Sequence, residues 1–115
     1  VGCDVNQADE DGSTPAYVAA AGGQTAALGL LLSTPGCDVN RARSNGATPA
    51  YIAAGMGHSA ALELLLKAPG CNANQAMGTG ATPAYIAAAM GRTAALRLLV
   101  DFGCDVNQAA NDGWT

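Results

Sequence analysis

The chain has 115 residues, half of them apolar, and a net charge of −4, so it is long enough and apolar enough to bury the core of one domain. Its acidic balance repels phosphate backbones and offers no counterion release, which argues against nucleic acid as a partner. No apolar stretch approaches the roughly 18 residues of a membrane-spanning helix and no basic amphipathic run addresses a membrane surface, so membrane insertion is not expected.

Reading from the first residue, Gly2-Cys3-Asp4-Val5-Asn6 returns as Gly36-Cys37-Asp38-Val39-Asn40, Gly70-Cys71-Asn72-Ala73-Asn74 and Gly103-Cys104-Asp105-Val106-Asn107. The stretch carries Asp4 and lacks an apolar core behind a charged start, so no secretory leader is read in it. Thr14-Pro15-Ala16-Tyr17 returns 34 residues later as Thr48-Pro49-Ala50-Tyr51 and again as Thr82-Pro83-Ala84-Tyr85, with Thr115 following after 33. Such a period marks a repeat array. The units run 9–42, 43–76 and 77–109, preceded at 1–8 by the end of another unit and followed at 110–115 by the start of a further one.

Each unit predicts two short helices and a loop. Thr14, Thr48 and Thr82 suit an N-cap, and Pro15, Pro49 and Pro83 suit the first helical position, where a missing N–H costs nothing. Gly23, Gly57 and Gly91 are placed to close that helix in the left-handed conformation. The second helix carries Ala27, Leu28, Leu31 and Leu32, repeated as Ala61, Leu62, Leu65 and Leu66 and as Ala95, Leu96, Leu99 and Val100, one apolar stripe per unit. Helices this short are marginal alone. Stacking of units must therefore hold them, and the low aromatic content, 4% in Tyr17, Tyr51, Tyr85, Phe102 and Trp114, implies closely packed aliphatic helices. Pro35-Gly36, Pro69-Gly70 and Gly103 end the second helix, and the Asx- and Gly-rich stretch to the next Thr-Pro reads as a hairpin-shaped loop.

The pattern D-G-x-T-P-x-x-x-A-A-x-x-G, with a later L-L and G-x-D-V-N, resembles the ankyrin repeat over essentially the whole chain. The resemblance implies an all-α solenoid of stacked antiparallel helix pairs with hairpin-like loops, cut from a longer array. Ala16, Ala50 and Ala84 stand where the family has Leu, and Tyr17, Tyr51 and Tyr85 where it has His. The family's His ties the loops of adjacent repeats, so here either the Tyr hydroxyls or packing must do so. Pro35 and Pro69 lengthen two loops by one residue.

Chemistry-bearing residues are few. Cys3, Cys37, Cys71 and Cys104 fall one per unit, and helix-packing spacings of about 8–10 Å exceed the reach of a disulfide. No C-x₂-C pair offers a zinc site. Reduced, buried thiols and an intracellular, cytoplasmic setting are the expectation. His58 shares its register with Gln24 and Arg92 and has no nucleophile or acid arrayed with it, while Asp9-Glu10-Asp11 lacks calcium-loop spacing and reads as a solvated tip. No catalytic or metal residue, no cofactor and no small-molecule substrate is expected.

Function is then expected from the surface. In the family, loop tips and the exposed side of the first helix form a concave face that meets a protein partner. Carried over by register, this picks Glu10, Asp11, Ser13 and Gly22; Ser44, Asn45, Ala47 and Met56; Gly78, Thr79, Ala81 and Met90; and Asn111, Asp112 and Trp114. Those positions vary between units while the frame does not. The expectation is a non-catalytic protein-interaction module whose partner the residues do not name; the alternative is a positioning or scaffold segment of a larger enzyme, channel or signalling protein. Because both ends fall inside a unit, uncovered apolar faces and marginal stability or self-association of the isolated piece are also expected.

Overall fold

The computed structural model describes residues 8–10, 12–68, 70–72, 75, 76 and 78–103. Among them are six α-helices and no strand: α1 (Pro15–Ala21), α2 (Thr25–Leu32), α3 (Pro49–Met56), α4 (Ser59–Lys67), α5 (Pro83–Ala89) and α6 (Thr93–Asp101). The expected all-α stack of helix pairs is what forms.

Each first helix begins at the predicted cap. Thr14, Thr48 and Thr82 accept the N–H of Tyr17, Tyr51 and Tyr85 on their hydroxyls at 3.2, 3.1 and 3.1 Å, satisfying one otherwise orphaned donor of the first turn. Each ends in the same device, a left-handed glycine, with φ of 68° at Gly23, 75° at Gly57 and 70° at Gly91. The next N–H, that of Gln24, His58 or Arg92, then returns to the carbonyl of Ala19, Ala53 or Ala87 at 2.9, 2.9 and 2.7 Å. That reversal sends the second helix back antiparallel to the first.

Packing puts α1, α3 and α5 in one row and α2, α4 and α6 in another, with each pair closed on itself. Neighbouring first helices approach more closely than neighbouring second helices, because alanines 16, 19, 20, 50, 53, 54, 84 and 87 are buried between them. The first-helix row therefore lies on the inner side of the array. Leu28, Leu62, Leu65 and Leu99 are fully buried between the rows, each removing about 1.5–3 kcal/mol worth of apolar surface from water.

The second-helix stripe is buried unevenly, which departs from expectation. Ala61 and Ala95 are buried but Ala27, at the same register, is exposed, and Leu66 is half-buried whereas Val100 is exposed. A neighbouring second helix covers these positions in the middle of the stack; among the described residues nothing packs before α2 or after α6.

Side chains also link units. Asn40 Nδ2 donates to the Gly70 carbonyl at 2.7 Å while its Oδ1 accepts the Asn72 N–H at 2.7 Å, and Gln75 Nε2 donates to the Asn40 carbonyl at 3.2 Å. The Arg43 guanidinium lies 5.2 Å from the Tyr17 ring centroid and donates from Nη1 to its hydroxyl at 3.4 Å. In this pair of units the tyrosine hydroxyl ties one unit to the next.

Candidate functional site

The hairpin loops are built from tight turns. The Asp9 N–H donates to the Ser13 carbonyl at 3.0 Å and the Arg43 N–H to the Ala47 carbonyl at 3.0 Å. Inside each turn a short side chain takes a backbone donor: Asp9 Oδ1 accepts the Ser13 N–H at 2.9 Å, and Asn45 Oδ1 accepts the Ala47 N–H at 2.9 Å. Asp9 thus works as a turn former.

This construction sorts the candidate surface. Glu10, Ser44, Asn45, Gly78 and Thr79 stand exposed at the tips, as does Gly22 at the far end of α1. Ser13, Ala47 and Ala81 do not belong to the surface: they are 8, 2 and 4% exposed. They sit one residue before the helix cap, where the hairpin turns inward, so the side chain points into the stack. Asp11, Asn111, Asp112 and Trp114 lie outside the described residues, as do Cys3, Cys104 and Pro69.

Met56 and Met90 are 50 and 54% exposed and end successive first helices. A gap-filling methionine would be enclosed; these are not. The inner row that leads to them carries no charged side chain, reading PAYVAAA, PAYIAAGM and PAYIAAA. Charge is instead on the outer row, where Lys67 pairs with Glu63 at 3.1 Å, and a shallow groove there is lined by Ser59, Glu63, Arg97 and Asp101.

Cys37 and Cys71 are not disulfide-bonded, and both are half-buried rather than enclosed as expected, because they stand in the loop after the second helix and not between the helix rows. Burial, aided by the Asp38 carboxylate, pushes the Cys37 thiol above its ordinary value, which makes it a poorer nucleophile at neutral pH. Burial also raises the Tyr51 phenol, with smaller contributions from Tyr85 and Tyr17; the three tyrosines form a line down the stack.

One functional feature was not singled out in the sequence. The residue after the turn glycine packs on the previous unit: the Arg92 side chain lies against Gly57 and its Nε donates to the Gly55 carbonyl at 3.1 Å, while the His58 ring lies against Gly23. The signal was present in the shared register of Gln24, His58 and Arg92, but register alone does not reveal contact with the unit before.

Comparison with family models matches residues 1–77 to ankyrin repeats (3 copies) and residues 79–108 to a further ankyrin repeat. The chain belongs to the ankyrin repeat family. Ankyrin repeats are generally protein–protein interaction modules and generally non-catalytic. No curated protein matches the chain. Among the described residues of this ankyrin array, no helix is long and apolar enough to cross a membrane.

Proposed function

We propose that this array is a non-catalytic module that presents its inner face to a protein partner, needing no cofactor and no small-molecule substrate. The observation that carries the reading is the pair Met56 and Met90, half-exposed at one register of successive units and backed by an uncharged helix row. Large apolar side chains held in water at regular spacing make good interface anchors, because a partner that covers them gains burial without displacing a charge. The exposed tips at Glu10, Ser44, Asn45, Gly78 and Thr79 supply an adaptable polar rim. We place the module inside the cell, where a thiol such as that of Cys37 stays reduced.

An affinity pull-down with the immobilised array tests this. Met56→Ala and Met90→Ala should each weaken capture of the bound protein by about 1 kcal/mol or more and leave the melting temperature unchanged. Unchanged capture with lowered thermal stability would show that both residues serve packing and would refute the inner face as the binding surface.

A further inference from the structure

We propose that the cluster of Met56, Met90 and Arg92 binds a partner segment in which one carboxylate side chain is flanked by large apolar residues. The inference rests on the protein-binding reading above and gives the partner its chemistry.

A partner lying along the inner row meets only neutral side chains on α1, α3 and α5. Arg92 changes that at one place. Its stem crosses the turn of the preceding unit, so closely that a Cβ on Gly57 would lie 3.0 Å from Arg92 Cδ. Its Nε is held by the Gly55 carbonyl at 3.1 Å. Met56 stands between those two glycines, and Met90 lies two residues before Arg92. One pinned guanidinium thereby lies, at the junction of two units, against the turn that carries Met56 and two residues after Met90, both half-exposed.

With Nε engaged, both Nη nitrogens remain as donors, and among the described residues no carboxylate pairs with them. A guanidinium edge of this kind matches a carboxylate with two parallel hydrogen bonds. The side chain is already fixed by its contacts, so binding loses less rotamer freedom. The choice of carboxylate over phosphate follows from charge. The cluster holds a single cation, since Lys67 and Arg97 lie on the outer row, Arg43 lies on the Tyr17 ring and Arg41 stands in the loop two residues before it, and a doubly charged phosphate calls for more than one. Unit position is specific too: the same register holds Gly22 and Gln24 in the first unit and Met56 and His58 in the second, so methionine and arginine coincide only in the third. Asp9 and Glu10 sit at the hairpin end of the first unit, two units before Arg92 and at the opposite end of the first helix, and do not crowd the site.

The test selects short random peptides displayed on phage against the immobilised full chain. Enriched sequences should carry Asp or Glu between large apolar residues. Synthetic versions should bind Arg92→Gln roughly tenfold or more weakly, the loss expected for a charge-assisted hydrogen bond, and should weaken when their acidic residue is made Asn or Gln. Glutamine already occupies this register at Gln24, so the variant should fold, with its melting temperature lowered by the loss of the bond to the Gly55 carbonyl, and peptide binding is measured at a temperature where both proteins are fully folded. Peptides that need Met56 and Met90 but carry no acid, or that ignore Arg92→Gln, would overturn the carboxylate site while the protein-binding reading stands. Peptides indifferent to all three side chains, or no enrichment at all, would overturn both.

Discussion

Alanine placed in turn at Gly23, Gly57 and Gly91 separates backbone strain from contact between units. All three glycines have φ between 68° and 75°, a region where an L side chain costs roughly 1–2 kcal/mol, offset in part by a stiffer unfolded chain. This net cost of about 1 kcal/mol is common to the three variants. Gly91→Ala should show that much and no more, because its methyl group meets nothing within 4 Å. In Gly57→Ala the methyl lies 3.0 Å from Arg92 Cδ and 3.2 Å from its Nε. The flexible stem swings away and gives up its bond to the Gly55 carbonyl, adding about 0.5–1.5 kcal/mol. In Gly23→Ala the neighbour is the His58 ring, with Nδ1 at 2.8 Å and Cγ at 3.0 Å. The Cγ contact lies at the base of the ring, so only rotation of the whole His58 side chain relieves it, and the overpacking adds about 1–3 kcal/mol. Urea unfolding followed by circular dichroism should therefore rank the losses Gly23 greatest, then Gly57, then Gly91, at constant slope. Equal losses at all three positions would show that the residues after the turn do not hold the units together, and the account of Arg92 as a pinned side chain would fall with it.

Thr48→Ala, which removes the hydroxyl that takes the Tyr51 N–H at 3.1 Å, should cost about 1 kcal/mol by the same unfolding assay. Leu62→Ala, at a fully buried position, should cost about 2–5 kcal/mol, whereas Leu30→Ala, at 73% exposure, should stay within about 0.5 kcal/mol; similar losses at both would contradict the assigned faces. Folding holds the Cys37 thiol and the Tyr51 phenol above their ordinary values, so it favours their neutral forms. That contribution is whole at neutral pH and declines as pH rises through the raised values. The urea midpoint should fall on going to strongly alkaline pH, and Cys37→Ser with Tyr51→Phe should flatten the decline; an unchanged slope in the double variant would refute the assignment.

Much of the fold was legible because the local signals repeat. Thr-Pro starts, glycine stops and a period of 34 residues place all six helices close to their observed bounds, since caps and left-handed turns depend on a residue and its immediate neighbours. Burial was less legible, because it depends on what stands beside a unit. Ala27 and Ala61 are the same residue at the same register, one exposed and one buried. The contacts of His58 and Arg92 were hidden for the same reason: each is made to a glycine of the previous unit, 35 residues earlier.

Variation among units turns out to have two physical sources, and exposure distinguishes them. At the register of Ser13, Ala47 and Ala81 the residues differ, but all are small and all are buried; a tight site accepts any side chain below a certain volume. Difference there reports tolerance, which is why reading it as surface tuning was mistaken. At the register of Gly22, Met56 and Met90 the change is from no side chain to a large thioether, in water, with no effect on the turn that follows. Packing neither requires nor forbids that bulk. Two residues later, Gln24, His58 and Arg92 differ in charge and shape yet all return their N–H to the equivalent alanine carbonyl. Backbone geometry is thus satisfied identically in the three units while the side chains above it differ in size and charge. Arg92 serves the fold through its bond to the Gly55 carbonyl, whereas the exposed methionines have no such role in packing, and the proposed recognition of a partner would supply one.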